Sequence, residues 1–201
     1  MDNDVSSPKF WDSCYIDNNI GWDLGSVTPV FKDWCNKLEN KYSIFVPGAG
    51  NGYDALYFAS KGHNVTAVDF SKEATNQITS QAKKRKININ ILNADIFELN
   101  SDMFNQFDYV IEYTCFCAID RKRRLDYIKK MSNLLKENGN LIGLFLPILK
   151  DIKDGGPPYS IDLDEVISQF SDYFKVVELK QHKLSIKPRL ENERYIHFKK
   201  K

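Results

Sequence analysis

The sequence lacks the features that mark several classes of protein. It has four cysteines and three histidines in 201 residues, with no C-x-x-C pair and no histidine cluster beside a cysteine, so neither a zinc site nor a disulfide framework is expected. Its formal net charge of +1 does not provide the excess of positive charge that is typical of proteins that bind nucleic acid. No apolar stretch approaches the roughly 20 residues of a membrane span, and the N-terminus has no apolar signal region. We therefore expect a metal-free cytoplasmic protein that binds neither nucleic acid nor membrane.

Glycine is also scarce, with ten residues in all, yet three glycines share one loop. Gly48, Gly50 and Gly52 follow an apolar run, a short amphipathic helix comes next, and a second apolar run ends at Asp69. Strand, glycine loop, helix, strand and acid form the nucleotide-binding half of an α/β sheet. Glycines let the backbone approach a ligand closely, and the acid can accept hydrogen bonds from both ribose hydroxyls. A plain glycine turn is the alternative, and the position of the acid argues against it.

A third glycine is missing at the position that would make this loop a dinucleotide site. The dinucleotide fingerprint requires a glycine three residues after the second one, and Tyr53 stands there. The pattern is G-x-G-x-G, which suits S-adenosylmethionine because its methionine end carries no phosphates. The sequence therefore disfavours a nicotinamide oxidoreductase.

Strands and helices alternate along the rest of the chain. This alternation predicts one domain, residues 1–201, folded as a doubly wound, three-layer α/β/α sandwich with ligands at the carboxyl ends of its strands. Strands are predicted at 42–46, 64–69, 87–91, 107–112, 141–146, 176–179 and 195–198. Helices are predicted to begin at Thr28-Pro29, at Ser71, at 121 and after Asp162, with Leu125, Ile128 and Leu135 facing inward in the third and Gly139 just past its end.

Two further segments have alternative interpretations. Asp95 follows the third strand, where it either accepts a hydrogen bond from an adenine amino group or starts a loop. Trp11, Tyr15 and Trp22 crowd into a segment before the first strand, which is either a helix that caps the core or an aromatic lid over a ligand.

Four stretches together resemble the thiopurine S-methyltransferase superfamily and, within it, most closely the halide/thiol (thiocyanate) methyltransferases. They are residues 10–25, 46–54, 112–119 and 155–159. Pro47 before the glycine loop and the Gly-Gly-Pro-Pro-Tyr sequence at 155–159 are fairly specific to this group.

The resemblance implies a Rossmann-like, class I methyltransferase fold, S-adenosyl-L-methionine as cofactor and a small methyl acceptor. It also implies that residues 1–25 form an N-terminal lid segment. The cofactor-binding residues that it implies are Trp11, Tyr15, Trp22, Gly48, Ala49, Gly50, Asp69, Phe70, Asp95, Ile96 and Glu112.

The expected reaction is in-line methyl transfer to a thiolate, sulfide or halide, and we expect a monomer. Tyr113 beside the sulfonium, Tyr159 in the glycine-proline loop and Arg189 are the candidate catalytic residues. No protein nucleophile is required, because the cofactor carries the reactive group. No histidine or lysine base is evident near these residues, and a hydroxyl acceptor would need one.

Alternatives and departures from the family pattern accompany this hypothesis. A bulkier heterocyclic thiol, a metalloid, a hydroxyl acceptor or a non-catalytic cofactor-binding protein would fit the same loop. Arg189 could equally be a solvated arginine, and Tyr159 could merely pack its loop. Ala49 stands where the family often has cysteine, Glu112 where aspartate is usual, and Cys115 where the residue is usually aromatic.

Overall fold

The structure is a computed structural model that describes residues 4–201. Its contacts divide the chain into two compact units, the first ending at Leu99 and the second beginning at Asn100.

The first unit contains a parallel sheet and four helices. Strands β1 and β2 are near-continuous apolar runs that are almost wholly buried, as expected of parallel strands covered on both faces. Within this unit the strands run in the order β3-β2-β1. The elements are α1 (Pro8–Ile16), α2 (Pro29–Asn36), β1 (Ser43–Pro47), α3 (Tyr53–Ser60), β2 (Asn64–Asp69), α4 (Lys72–Arg85) and β3 (Asn90–Asn93).

The second unit contains a mixed sheet around an aromatic core. Phe170 and Phe198 stack with their ring centroids 4.3 Å apart, and Phe145 packs edge-on against both of them. The elements are β4 (Phe107–Tyr113), α5 (Arg124–Leu134), β5 (Leu135–Phe145), α6 (Leu163–Phe170), β6 (Phe174–Lys180) and β7 (Arg194–Lys200), with short 3₁₀ turns at Ser101–Met103, Arg121–Arg123 and Ile152–Asp154.

In the second unit the strands run in the order β4-β5-β7-β6. Strand β7 runs antiparallel to its neighbours β5 and β6, and the other recorded pairings are parallel. This order confirms the predicted doubly wound α/β fold. Within residues 4–201, no helix combines the length and the apolar character that crossing a membrane requires.

Two predicted boundaries are wrong for local reasons. Strand β3 begins at Asn90 rather than at residue 87, because the N–H of Ile87 still bonds to the carbonyl of Ala82 at the end of α4. The fifth strand begins at Leu135 rather than at residue 141, so Gly139 lies inside β5.

Of the three residues predicted to face inward, Ile128 and Leu135 are buried and Leu125 is not. Leu125 is 57 % exposed, whereas the neighbouring Arg124 is 1 % exposed. Helix α5 begins at Arg124, after a 3₁₀ turn, and its buried stripe runs through Tyr127 and Ile128. A shift of one residue turns a helical side chain by about 100°, which carries Leu125 out to solvent.

Two truncations in α5 should separate these faces. Ile128→Ala should lower the free energy of unfolding by about 2–5 kcal/mol, because it leaves a cavity beside a side chain with no exposed surface. Leu125→Ala should change it by less than about 0.5 kcal/mol. Urea unfolding followed by circular dichroism measures both, and equal losses would contradict this assignment of the buried face.

Candidate active site

The glycine loop of the first unit leaves no room for side chains at two of its glycines. A Cβ on Gly50 would lie 3.1 Å from the hydroxyl oxygen of Tyr15, and one on Gly52 would lie 2.6 Å from Cγ1 of Ile78. Both glycines also have left-handed backbones, with φ of 55° and 74°. Gly52 therefore lies close to Ile78 of α4, and Gly50 lies close to the hydroxyl of Tyr15.

Asp69 ends β2 and is fixed by the backbone around it. Its Oδ2 accepts a hydrogen bond from the N–H of Gly50 at 2.9 Å, and its Oδ1 accepts one from the N–H of Ser71 at 2.9 Å. Burial raises the pKa of this carboxyl to about 6. Each oxygen keeps further acceptor capacity, so the predicted bonds to ribose hydroxyls are compatible with this geometry.

The three N-terminal aromatic residues form one cluster. The ring of Trp22 lies edge-on to Trp11 and to Tyr15, at centroid distances of 5.4 Å and 5.9 Å. The indole N–H of Trp11 donates to the carbonyl of Val5 at 2.8 Å. Burial and then the charge of Asp69 raise the pKa of the Tyr15 phenol, which therefore remains a neutral hydroxyl. The structure thus brings together Trp11, Tyr15 and Trp22, and it places Tyr15 against the glycine loop.

Two further contacts anchor the segment that follows this cluster. The side-chain amide of Asn51 donates to Oδ2 of Asp23. Asp54 accepts hydrogen bonds from both the N–H and the hydroxyl of Thr28, each at 2.8 Å. Helix α2 begins at Pro29, as predicted, although the hydroxyl of Thr28 bonds to Asp54 instead of capping the helix. The predicted role of this N-terminal segment as a lid stays a prediction.

The residues predicted to contact adenine lie after β2 and β3. Oδ1 of Asp95 accepts from the N–H of Phe97 at 2.8 Å, so the carboxylate does start a loop, while Ile96 is buried. The side-chain amide of Asn93, which the sequence analysis did not single out, donates to the carbonyls of Asp69 and Phe70 at 3.1 and 2.9 Å.

Glu112 in the second unit is enclosed by its own loop. It is 1 % exposed, and Oε1 accepts from the N–H groups of Cys115 and Phe116 at 3.0 and 2.8 Å. Its Oε2 accepts from the hydroxyl of Tyr127, and burial raises the pKa of the carboxyl to about 7. Glu112 therefore shapes the turn after β4, and its predicted place beside the sulfonium stays a prediction.

Two of the predicted catalytic residues, Tyr113 and Arg189, are in contact. Nη1 of Arg189 donates to the hydroxyl oxygen of Tyr113, and the guanidinium carbon lies 5.1 Å from the centre of its ring. The Tyr113 hydroxyl is 3.5 Å from Oε2 of Glu193, a residue that is 1 % exposed. Burial raises the pKa of Glu193, while the nearby Ser185 hydroxyl and the charge of Arg189 oppose that rise.

Tyr159 packs its own loop. Its N–H donates to the carbonyl of Cys117 at 2.7 Å, and a Cβ on Gly156 would lie 2.5 Å from its ring. A second hydrogen bond holds the loop that contains Tyr159, because Nη2 of Arg124 donates to the carbonyl of Ser160 at 3.2 Å. These contacts give Tyr159 a structural role, and its catalytic role remains a prediction.

Several of these residues were missed because their partners are distant in sequence. Arg124 and Glu193 stand in no recognisable motif, and Asn51 lies within the glycine loop, whose pattern does not indicate Asp23 as a partner. Among residues 4–201, no group of three or more histidine, cysteine or acidic side chains could hold a metal ion.

The fold is that of the class I S-adenosylmethionine-dependent methyltransferases. The chain superposes with a TM-score of 0.77, at 18 % identity, on the 1,6-didemethyltoxoflavin-N1-methyltransferase of Burkholderia thailandensis, covering 96 % of this chain and 86 % of that one. That enzyme's structure contains bound S-adenosylhomocysteine.

The sequence comparisons give the family. The family model described as thiopurine S-methyltransferase matches residues 6–198. The chain is 32 % identical to a probable thiol methyltransferase 2 of Arabidopsis thaliana and 30 % identical to a thiocyanate methyltransferase 1 of Brassica oleracea, each match covering 94 % of this chain and 84 % of the relative. The chain belongs to the thiopurine S-methyltransferase family, and its cofactor is S-adenosylmethionine.

Removing the charge of Glu112 should change how stability depends on pH. The native state holds a proton on this carboxyl up to about pH 7, whereas the unfolded chain loses it near the ordinary pKa of 4.5. The free energy of unfolding should therefore fall as pH rises through this interval. Glu112→Gln keeps an acceptor for the loop N–H groups and should flatten the slope, as measured by urea unfolding at a series of pH values. The exposed Glu98→Gln serves as the control, and an unchanged slope in Glu112→Gln would contradict the assignment.

Proposed function

We propose that this methyltransferase methylates a small soft nucleophile, a thiolate, sulfide or halide. The observation that carries the proposal is the contact between Arg189 and Tyr113 in the second unit. It places a guanidinium, which stays charged at all physiological pH values, against a residue expected beside the reacting sulfur. A cation at this position favours an acceptor that arrives as an anion.

The positions of the histidines support the same conclusion. His63 is buried, accepting from the N–H of Tyr42 and contacting the thiol of Cys35. His197 contacts the side chain of Asn140, and His182 accepts from the N–H of Leu184. These bonds engage each histidine with residues other than Tyr113 and Arg189. A hydroxyl acceptor usually needs a positioned base, whereas a thiol is partly ionised near neutral pH and a halide needs no base.

The first unit fits the cofactor. Gly50 provides a surface from which any Cβ is excluded, and Asp69 presents a fixed carboxylate for ribose. The rings of Trp11 and Trp22 offer faces that attract a cation. We assign adenine to the neighbourhood of Asp95 and Ile96.

The residues of this chain would act by binding and orientation. When bound, the cofactor supplies a methyl group activated on a positively charged sulfur. Arg189 would attract the acceptor anion and hold it in line, and alignment alone lowers a barrier substantially. The aromatic side chains would exclude water, which otherwise stabilises the separated charges.

We further propose that the chain works as a single methyltransferase domain, as a monomer, in the cytoplasm. No disulfide joins the four cysteines, as is expected in a reducing compartment. Size-exclusion chromatography with light scattering tests the monomer.

Asp69→Ala should weaken cofactor binding by about 1.5–3 kcal/mol, the scale of hydrogen bonds to a charged group. Calorimetric titration with S-adenosylhomocysteine measures this loss, and NAD should give no binding heat with the parent protein. If the variant binds S-adenosylhomocysteine as tightly as the parent does, the ribose assignment is wrong.

A panel of acceptors should identify the substrate class by mass spectrometry of the methylated products. Small thiols, sulfide, thiocyanate and halides should be methylated faster than a thiopurine and a phenol. The rate with a thiol should rise as the pH approaches the pKa of the acceptor thiol, about 8.5, whereas the rate with a halide should not depend on pH. Arg189→Gln should raise the KM for iodide without changing cofactor affinity, with the exposed Lys187→Gln as its control. Faster turnover of the thiopurine would favour a bulkier heterocyclic thiol, and faster turnover of the phenol would contradict the proposal.

A further inference from the structure

Helix α1 carries an acid that contacts the start of α4. Oδ1 of Asp12 accepts a hydrogen bond from the hydroxyl of Ser71 at 2.6 Å and another from the N–H of Glu73 at 3.2 Å. Ser71 is the N-cap of α4, and its hydroxyl oxygen accepts from the N–H of Ala74 at 3.2 Å. The carboxylate of Asp12 therefore completes the cap at the positive end of a 14-residue helix.

The same cap leads directly to the acid assigned to ribose. The N–H of Ser71 donates to Oδ1 of Asp69, and Oδ2 of Asp69 accepts from the N–H of Gly50. One hydrogen-bonded chain thus runs from Asp12 through Ser71 and Asp69 to the glycine loop. Tyr15 stands three residues after Asp12 on α1 and places its hydroxyl over Gly50. Helix α1 therefore contacts the start of α4 through Asp12 and the glycine loop through Tyr15.

We propose that Asp12 is a positioning residue for the cofactor, which holds α1 on the N-terminus of α4 so that Tyr15 and Asp69 keep their places at the glycine loop. The proposal rests on the ribose role proposed for Asp69. It gives the N-terminal segment a specific attachment point, distinct from the contacts at Asp23 and Thr28.

The hydrogen bonds and the charge of Asp12 have separable effects. Besides burial, the negative charge of Asp12 raises the pKa of Asp69. The other groups that face Asp69 are the neutral Tyr15 and the N–H groups of Gly50 and Ser71. Asp12→Asn keeps an accepting oxygen at the position of Oδ1 but removes the negative charge. Asp12→Ala removes both the hydrogen-bond acceptor and the charge.

The two variants should therefore differ when S-adenosylhomocysteine binding is titrated from about pH 5 to about pH 8. Asp12→Ala should bind roughly tenfold more weakly at neutral pH, the effect of losing about one charged hydrogen bond. Asp12→Asn should bind like the parent at neutral pH. Its affinity should also persist to lower pH, because the pKa of Asp69 falls when the neighbouring charge is removed and the accepting carboxylate survives. Asp17→Ala, at the exposed end of the same helix, should match the parent throughout.

Two results would overturn the proposal. One is an Asp12→Ala variant that binds as tightly as the parent. The other is an Asp12→Asn variant whose affinity for S-adenosylhomocysteine falls at the same acidic pH as that of the parent. This measurement remains available if the alanine variant fails to fold. A purely structural role for Asp12 would lower the melting temperature without changing the pH at which affinity is lost. Asp69→Ala is titrated alongside, since full binding by that variant would refute the ribose assignment itself and not the attachment of α1.

Discussion

The site depends on buried carboxylates that accept hydrogen bonds from the backbone of loops. Asp69 closes β2 by binding the N–H groups of Gly50 and Ser71, and Glu112 near the end of β4 binds those of Cys115 and Phe116. Loops that turn sharply away from a parallel strand leave N–H groups without ladder partners, and burying such groups unpaired is costly. A carboxylate can satisfy two of them at once, because it has two oxygens and no donor of its own.

This arrangement has an electrostatic cost that is visible in both carboxyls. Burial raises the pKa of Asp69 to about 6 and that of Glu112 to about 7, because the charged form loses its hydration. Glu112 receives a third hydrogen bond from Tyr127, yet this does not offset its burial. Asp69 has no such side-chain donor among its recorded partners, which leaves acceptor capacity for a ligand. Glu112 therefore holds its own loop, and Asp69 holds the glycine loop while keeping the acceptor capacity that its proposed contact with ribose requires.

Local patterns in the sequence predicted most of the fold. Strand β2 (Asn64–Asp69) and the N-cap at Ser71 have the predicted positions, because each depends on neighbouring residues alone. The burial of Arg124 in place of Leu125 could not be predicted, because it depends on contacts with Phe116 and with Ser160, which lies 36 residues further along the chain. The glycine loop and Asp69 were recognisable from spacing. By contrast, Asp12 contacts Ser71 across 59 residues, and no pattern in the sequence indicates that pair.

The residues proposed to meet the acceptor form a charged cluster in the second unit. Arg189 lies on the stretch between β6 and β7, and its guanidinium is directed by contact with Tyr113. Glu193 is buried beside the same phenol. The positive charge of Arg189 therefore interacts with a carboxyl whose pKa is raised by burial. The more of that carboxyl is protonated, the less of the positive charge is neutralised within the protein, and the more remains to attract an anion. The net charge of this cluster therefore depends on the balance between Arg189 and Glu193.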